Sequence, residues 1–480
     1  MRTSRDYFLL AIMALSQTHL VSAERVLGAY IFARHGDRTP KIMGNTQLTD
    51  LGYNEVFNTG SYYHSRYINS SSVLRIEGIS EEIVNLKQLT ASAPSDTVLQ
   101  NSATGFLQGI YPPVGSLASQ TLANGTSIQA PLNGYQLVPL SLTSTGTNSE
   151  DNTWLQDTTK CQNARVSSND YYSSTLYKDL LSSTKDFYQS LSPALKNEFA
   201  PSEINFKNAY PIFDYINVAR IHNTSTTDMP TDSQFHQLLT LANIEQYNLA
   251  YNSTSPVRAI AGAQLAGEIL DALNQTITSQ GKTKLSIQFG SYGTFLSYFG
   301  LAQLPKDNPE FTGIPDYASS MAWELITKSD STSGFPDPAD ISVRFIFHNG
   351  TITGSSQPSE YPLYGQKSVT IPWTEFVKST KDIAVMDTTE WCSICGNTDG
   401  KCADTGSGSS SATTESTEGK HGGISRAVAG VIGAMVTLAV VLGLEGAFFL
   451  VGGFTVVAKR RVGGGSIASG GSETKFVEHA

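Results

Sequence analysis

The hydrophobic pattern of the chain alternates between short apolar runs and longer stretches with helical periodicity. Runs typical of buried strands occupy residues 26–33, 285–289 and 341–347. Apolar positions spaced as on one face of a helix occupy residues 49–67, 173–191, 235–247, 257–273 and 319–327. Strands that alternate with helices predict an α/β fold with a mostly parallel sheet flanked by helices.

The first apolar run ends in a cluster of charged side chains. Residues 34–40 read RHGDRTP, so a glycine and a proline stop the run and begin a loop. Open α/β sheets bind ligands at the carboxyl ends of their strands, and arginine guanidinium groups match the oxygens of phosphate. His35, between Arg34 and Arg38, is a candidate nucleophile toward phosphorus. We therefore interpret this segment as a phosphate site rather than as a surface loop with solvated charges.

This heptapeptide resembles the signature of the histidine acid phosphatase family, a branch of the phosphoglycerate-mutase-like superfamily. Similar blocks follow in the family's order at residues 48–67, 101–113 and 315–325, and the resemblance spans residues 26–402. It implies a sheet of the phosphoglycerate-mutase type, over which residues 116–252 form an inserted α-helical cap. The cleft between cap and sheet is then the expected binding site.

The resemblance also implies a chemistry for the site. The family's signature histidine attacks phosphorus and forms a phosphohistidine, while arginines hold the phosphoryl oxygens. On this resemblance His35 is the nucleophile, and Arg34 and Arg38 bind the phosphate. The expected partner is a phosphorylated small molecule, and we expect no cofactor and no metal ion.

Two parts of the family's catalytic set are missing from their expected places. A further arginine should stand shortly before the Ser-Ala of the second block, but the chain has Thr97 or a near neighbour there and no arginine in that stretch. A His-Asp pair should end a late strand, where the alignment gives Gln288 and Phe289. Neither histidine nor aspartate occurs from residue 285 to residue 304.

The missing groups lower the expected activity. A positioned general acid contributes about 10²–10⁴-fold to the rate, and a lost arginine costs on the order of several kcal/mol of transition-state stabilisation. Asp37 is the nearest substitute acid, and Asp96 and Asp316 are further candidates. The His348-Asn349 dipeptide matches the missing pair less well, because it follows the third block instead of preceding it. We interpret the other histidines of the folded part as surface or core residues: His64, His222, His236 and His348.

Two functions are therefore open. The first is a membrane-anchored phosphomonoesterase of the acid phosphatase type that acts through a phosphohistidine at His35, with turnover reduced or lost. The second is a non-catalytic cell-surface relative that binds a phosphorylated or anionic ligand. The intact heptapeptide favours the first function, and the missing groups favour the second.

Composition and the N-terminus indicate the compartment. The 480 residues, 40% of them hydrophobic, can bury a large core, and a net charge of -10 without a basic stripe disfavours nucleic-acid binding. Residues 1–23 combine early arginines, an apolar run and small residues at the end, which is typical of a cleaved signal peptide. An ectodomain of residues 24–403 should follow, and the Gly, Ser and Thr of residues 404–425 predict a flexible stalk.

An apolar segment near the C-terminus predicts a membrane anchor. A single charge, at Glu445, interrupts residues 427–458, and this length exceeds the roughly 20 residues that span a bilayer. We assign a transmembrane helix to residues 426–458 and a cytoplasmic tail to residues 459–480, which begin with three basic residues. A cleaved GPI signal would end apolar, whereas this chain continues with polar residues. We expect a single-pass type I protein of the plasma membrane or another endomembrane, with an extracellular or lumenal ectodomain.

Cysteines and glycosylation sequons fit that compartment. Four cysteines predict two disulfides with three possible pairings, and the short spacing of the second and third favours a disulfide over a zinc or redox site. The cysteines are Cys161, Cys392, Cys395 and Cys402. Sequons for N-glycosylation begin at Asn69, Asn124, Asn223, Asn252, Asn274 and Asn349.

Overall fold

One large mixed β-sheet organises the part of the chain that the structure describes. The computed structural model describes residues 24–143, 160–224, 227–329, 334–354, 356–400 and 402–403. The predicted signal peptide, stalk, transmembrane helix and cytoplasmic tail lie outside these residues. Within the described ranges, no helix is both long and apolar enough to cross a bilayer.

Strand β1 lies inside this sheet and carries the signature heptapeptide at its end. In chain order the strands are β1 (Arg25–Ala33), β2 (Leu89–Pro94), β3 (Ser119–Thr121), β4 (Ser127–Gln129), β5 (Ser141–Thr143), β6 (Leu285–Phe289), β7 (Ser320–Thr327), β8 (Ile341–His348), β9 (Ser359–Glu360) and β10 (Thr370–Pro372). On one side of β1 follow β6, β2 and β5, all parallel. On the other side follow β7, β8 and β10 in antiparallel pairs, and β9 pairs with β8. Strands β3 and β4 form a separate hairpin.

The sheet is therefore mixed, and the prediction of a mostly parallel sheet is wrong. Its parallel half forms as expected, because helices connect the strands there and return the chain to the same edge. Its antiparallel half arises where β7 leads to β8 with no α-helix described between them. A chain that turns back without a helical crossover places the next strand antiparallel.

Helices cover both faces of the sheet. They are α1 (Asp50–Tyr67), α2 (Thr97–Ile110), the single turn α3 (Pro131–Gly134), α4 (Gln162–Asn169), α5 (Thr175–Ser183), α6 (Lys185–Ser190), α7 (Ser192–Leu195), α8 (Ala209–His222), α9 (Asp232–Ala250), α10 (Ile260–Thr278), α11 (Tyr292–Leu301), α12 (Trp373–Lys381) and α13 (Thr388–Cys395). Because side chains alternate along a strand, β1 enters two cores. Tyr30 and Phe32 pack with residues of α10 and α11, whereas Ile31 and Ala33 pack with residues of α1 and α2.

The pattern of apolar residues misassigns one buried element. The helix predicted over residues 319–327 is wrong, because this segment forms β7 between β1 and β8. Every residue of β7 is buried, including its polar residues Ser320, Glu324 and Thr327, so no alternation of exposed polar and buried apolar positions marks a period of two rather than 3.6. The other predicted helices form, with residues 173–191 divided between α5 and α6 at Thr184.

The helical cap is shorter than the predicted range of residues 116–252. Helices α4 to α9 form between Gln162 and Ala250. Residues 141–143, by contrast, form β5 at the edge of the main sheet, where they pair with β2. The open edge of β2 offers backbone groups that a short extended segment satisfies. The inserted cap, within the described residues, therefore begins at α4.

Two disulfides stabilise the C-terminal end of the described residues, and one of them joins this end to the start of α4. Cys161 pairs with Cys395, with Cα atoms 4.7 Å apart and 234 residues between them in sequence. Cys392 pairs with Cys402, with Cα atoms 5.5 Å apart. The structure thus selects one of the three possible pairings, in which the first bond joins the start of α4 to α13.

A buried charge cluster joins α1 to the antiparallel half of the sheet. Glu324 of β7 is fully buried and accepts hydrogen bonds from Arg66 Nε (2.7 Å), Tyr67 Oη (2.7 Å) and Arg344 Nε (2.6 Å). Burial opposes the charge of Glu324, but the two arginines lower its pKa below the usual value. A buried charge is tolerated only when it is paired, so this cluster fixes α1 against β7.

We expect Glu324→Ala to lower the free energy of unfolding by about 3–5 kcal/mol, because it leaves two arginines without their buried partner. Thermal and urea unfolding of the purified protein measure this change. Glu360→Ala is the matched control, since its side chain is 43% exposed and lies 3.6 Å from Arg344, and its effect should stay within about 1 kcal/mol. Equal losses in the two variants would contradict the assignment.

Candidate active site

The signature loop is held in place by its neighbours at the carboxyl end of β1. The amide of Arg34 donates to Ser319 O, and the carbonyl of His35 accepts from the amide of Ala318, both at 2.9 Å. Gly36 faces the start of α1 so closely that a Cβ atom there would lie 2.1 Å from Gly52 O. Glycine is therefore required at this position for the loop to seat on α1.

The surroundings of His35 favour a neutral imidazole. Its Nδ1 lies 2.8 Å from Gly36 O, and because a carbonyl only accepts, Nδ1 carries the proton. Nε2 is then left with its lone pair. Burial, followed by the charges of Arg34 and Arg38, holds the pKa of His35 well below its usual value of 6.5. The imidazole thus stays unprotonated in mildly acidic solution, as attack on phosphorus requires.

Arg34 offers donors for an anion beside His35. Its Nη1 donates to Pro315 O, and its guanidinium group lies 5.3 Å and 4.9 Å from the ring centroids of Tyr292 and Tyr317. Its Nε is buried and has no hydrogen-bond partner in the described part of the chain, and the same holds for the hydroxyl of Ser291. Unpaired buried donors are costly unless a ligand satisfies them, so a phosphate fits here.

Arg38 is engaged by the cap. Its guanidinium group donates to both carboxylate oxygens of Asp214 on α8, at 2.6 and 3.1 Å, and to the hydroxyl of Tyr210 at 3.3 Å. Both Arg38 and Asp214 are buried. This bidentate pair joins the loop to α8, and the phosphate-binding role of Arg38 stays a prediction.

A third cation lies directly after the heptapeptide, and the sequence analysis did not identify it. The amide of Lys41 donates to Asp214 Oδ2 at 2.8 Å, while its Nζ lies 5.3 Å from the ring centroids of both Tyr210 and Tyr292. Its charge also helps to lower the pKa of His35. The signal available in sequence was the position of Lys41 immediately after the signature.

Asp37, the predicted substitute acid, is fully enclosed. Its side chain is 0% exposed, and its Oδ2 accepts from Thr49 Oγ1 at 2.5 Å and lies 2.6 Å from His222 Nε2. His222 was interpreted as a surface or core residue, but it ends α8 and reaches this loop. The 185 residues between Asp37 and His222 explain why no sequence pattern links them.

Glu55 of α1 also borders the loop. Its Oε2 accepts a hydrogen bond of 2.7 Å from the amide of Asp37. Burial, followed by the negative charges of Asp37 and Asp316, raises the pKa of Glu55 to about 7, against the opposing effect of the accepted hydrogen bond. A carboxyl group that titrates near neutral pH thus contacts the backbone of Asp37, two residues after His35, although 18 positions separate Glu55 from Asp37 in sequence. Sequence spacing gave no sign of this contact.

The positions aligned with the missing groups lie elsewhere. Thr97 is the exposed first residue of α2. Gln288 accepts a hydrogen bond from Tyr30 Oη inside the sheet, and Phe289 packs edge-on against Phe106. Tyr292, which begins α11 after β6, contacts Arg34 and Lys41 with its ring. It comes slightly later than the alignment predicted and supplies neither the family's histidine nor its aspartate.

The remaining candidates occupy structural positions. Asp96 caps α2 by accepting from the amide of Leu99, and Asp316 is exposed. The two ring nitrogens of buried His348 contact Gly350 O and Ser356 Oγ. His64 bonds to Ile110 O, and His236 lies exposed on α9.

Among the described residues, no group of three or more His, Cys, Asp or Glu side chains is placed to hold a metal ion. The six sequon asparagines are exposed or half-buried, and their glycosylation stays a prediction.

Comparisons with known proteins point to one family. The model of the histidine phosphatase superfamily (branch 2) matches residues 42–348. The Klebsiella sp. ASR1 phytase structure has a TM-score of 0.50 at 12% identity, over 75% of this chain and 96% of that chain. The multiple inositol polyphosphate phosphatase of Bifidobacterium longum in complex with phosphate has a TM-score of 0.41 at 12% identity, over 76% and 95%. At such identities the likeness concerns the fold alone. No curated protein matches the chain.

We expect Glu55→Gln to stabilise the protein more at pH 8 than at pH 5. Because the folded pKa of about 7 lies above the ordinary 4.5, Glu55 supports the fold below pH 4.5, and this contribution is lost as pH rises through 7. Glutamine keeps an oxygen for the Asp37 amide but does not ionise. Thermal midpoints at the two pH values measure the effect, with exposed Glu82→Gln as control. A shift that does not depend on pH would contradict this assignment.

Proposed function

The chain belongs to branch 2 of the histidine phosphatase superfamily, and we propose that it hydrolyses phosphomonoesters through a phosphohistidine at His35. One observation carries this proposal most directly. The geometry favours a neutral His35 whose Nδ1 proton is donated to Gly36 O, and Arg34, whose buried Nε has no partner among the described residues, lies next to it in sequence. A nucleophile and an oxyanion-binding cation are thus held on one loop.

The proposed reaction has two displacements. In the first, His35 Nε2 attacks phosphorus, the P–O bond to the alcohol breaks, and the leaving oxygen takes up a proton. In the second, water attacks the phosphohistidine, the P–N bond breaks, and inorganic phosphate leaves with His35 restored. Arg34 holds phosphoryl oxygens throughout, and its charge is favoured most where negative charge develops in the transition state.

Reduced turnover is part of the proposal. The bidentate contact with Asp214 engages both terminal nitrogens of Arg38, at 2.6 and 3.1 Å, and leaves only its buried Nε without a partner among the described residues. The family's further arginine is replaced at exposed Thr97 or a near neighbour, and no aspartate follows β6 up to residue 304. Each missing contact removes transition-state stabilisation, so we expect a slow phosphatase rather than a fast one.

The same observations favour the second function, a non-catalytic relative that binds a phosphorylated or anionic ligand. A loop with a cation and unpaired buried donors binds an anion whether or not turnover follows. The Arg38–Asp214 pair and the unfilled positions after β6 are the specific support for it.

We also propose that the protein acts in the secretory pathway as a single-pass type I membrane protein, with residues 24–403 facing the lumen or the outside. The apolar segments at residues 1–23 and 426–458 support this topology. The two disulfides in the ectodomain support an oxidising compartment. In this setting the substrate or ligand is a small phosphorylated molecule, and nucleic acid is not expected.

The full-length protein, purified in detergent, should release phosphate from p-nitrophenyl phosphate. His35→Ala should lower kcat/KM by several orders of magnitude, because it removes the nucleophile. Since the pKa of His35 lies below 6.5, acidification should begin to lower kcat/KM only at a pH below 6.5. Exposed His236→Ala is the control and should behave as the parent.

Labelled substrate and rapid quenching in base should trap an acid-labile phosphohistidine in the parent and not in His35→Ala. Absence of turnover together with retained vanadate binding would establish the non-catalytic function instead. Turnover that survives in His35→Ala would overturn the assignment of the nucleophile.

A further inference from the structure

The contact between His222 and Asp37 places an imidazole and a carboxylate together at the signature loop. His222 is the last residue of α8, and its Nε2 lies 2.6 Å from Asp37 Oδ2. A carboxylate bonded to one ring nitrogen orients the imidazole and stabilises the charge that it carries during proton transfer. The proposed reaction needs such a group, because the family's His-Asp pair is missing after β6.

We propose that His222, oriented by Asp37, protonates the leaving oxygen when the phosphomonoester P–O bond breaks. This inference rests on the proposed function. The side chain of Asp37 is 0% exposed, its Oδ2 accepts two hydrogen bonds, and its Oδ1 is buried without a partner among the described residues, so we assign Asp37 the role of orienting His222. His222 is 37% exposed, and its Nδ1 has no hydrogen-bond partner among the described residues. The buried carboxylate thus orients, and the accessible imidazole transfers the proton.

The position of α8 suits this role. It contacts the loop at two points, through Asp214 to Arg38 and through His222 to Asp37, eight residues or about two helical turns apart. His35 extends from β1, whereas His222 comes from the cap. An in-line displacement expels the leaving oxygen on the side of phosphorus opposite the attacking nitrogen, so the proton donor must come from a different element than the nucleophile, as α8 allows.

The proton balance is complete without a further reactant. As the P–O bond breaks, Nδ1 of His222 gives its proton to the leaving oxygen, while Nε2 keeps its proton and continues to donate it to Asp37 Oδ2. In the second displacement, Nδ1 takes a proton from the attacking water as the P–N bond to His35 breaks. The same nitrogen therefore acts first as a general acid and then as a general base.

Glu55 is the strongest competitor for this role. It borders the same loop, and its pKa of about 7 suits a proton donor near neutral pH. Its Oε2, however, accepts the amide proton of Asp37, so it faces the backbone of the loop. Asp96 caps α2 with its side chain and is excluded on that ground.

The experiment compares two leaving groups in the full-length protein. Nitrophenolate leaves readily without a proton, whereas the alkoxide of glycerol 2-phosphate requires one. His222→Gln should lower kcat/KM for glycerol 2-phosphate by about 10²–10⁴-fold, and for p-nitrophenyl phosphate by less than about tenfold. Asp37→Asn should show the same preference with a smaller loss, and exposed His236→Gln should match the parent for both substrates.

Each outcome decides between explanations. Equal losses for the two substrates in His222→Gln would assign His222 a structural role and overturn the inference, while the phosphatase function stands. If Glu55→Gln lowers kcat/KM for glycerol 2-phosphate much more than for p-nitrophenyl phosphate, and His222→Gln lowers both equally, the proton donor is Glu55. If His222→Gln does not fold, as judged by its thermal midpoint, the ratio of the kcat/KM losses for the two substrates in Asp37→Asn decides instead. A parent protein that turns over neither substrate would overturn the proposed function itself.

Discussion

Burial of the charged signature loop is the constraint on which the rest of the site depends. Arg34, His35, Asp37 and Arg38 are all less than a tenth exposed, and a desolvated charge is unstable unless a partner compensates it. The fold supplies these partners from several directions: a carbonyl and tyrosine rings for Arg34, a cap carboxylate for Arg38, and a hydroxyl and an imidazole for Asp37. The cap docks where it does because its helix α8 provides two of them.

The same compensation shapes the chemistry. Low exposure and neighbouring cations keep His35 neutral, which suits a nucleophile. The pairing of Arg38 with Asp214 works in the other direction, because a phosphate that enters the loop must compete with a bidentate carboxylate already in place. Removing either member of such a pair alone is strongly destabilising. If Arg38 binds phosphate as the signature predicts, stability of the cap and strength of phosphate binding are therefore opposed at this residue.

Local patterns predicted the elements that local physics determines. Apolar spacing predicts β1 and α1, and the residues that interrupt the apolar run predict the end of β1 before Arg34. The helix assigned to 319–327 failed because β7 is buried on both faces, where the spacing carries no information. Disulfide pairing and the Asp37–His222 contact join residues 234 and 185 positions apart, and such contacts depend on packing of the cap rather than on any neighbouring residue.

The absence of the family's His-Asp pair after β6 has a different consequence once the position of α8 is considered. In the sequence, this absence leaves His35, the proposed nucleophile, without a residue that would transfer a proton to the leaving group. In the structure, α8 places an imidazole on the carboxylate two residues from that nucleophile. If the donor comes from α8, the reacting groups are complete only when the cap is docked, since His35 belongs to the sheet and His222 to the cap. Phosphate binding at Arg38, proton donation at His222 and the stability of the cap then depend on one helix, so a change in any of them alters the other two.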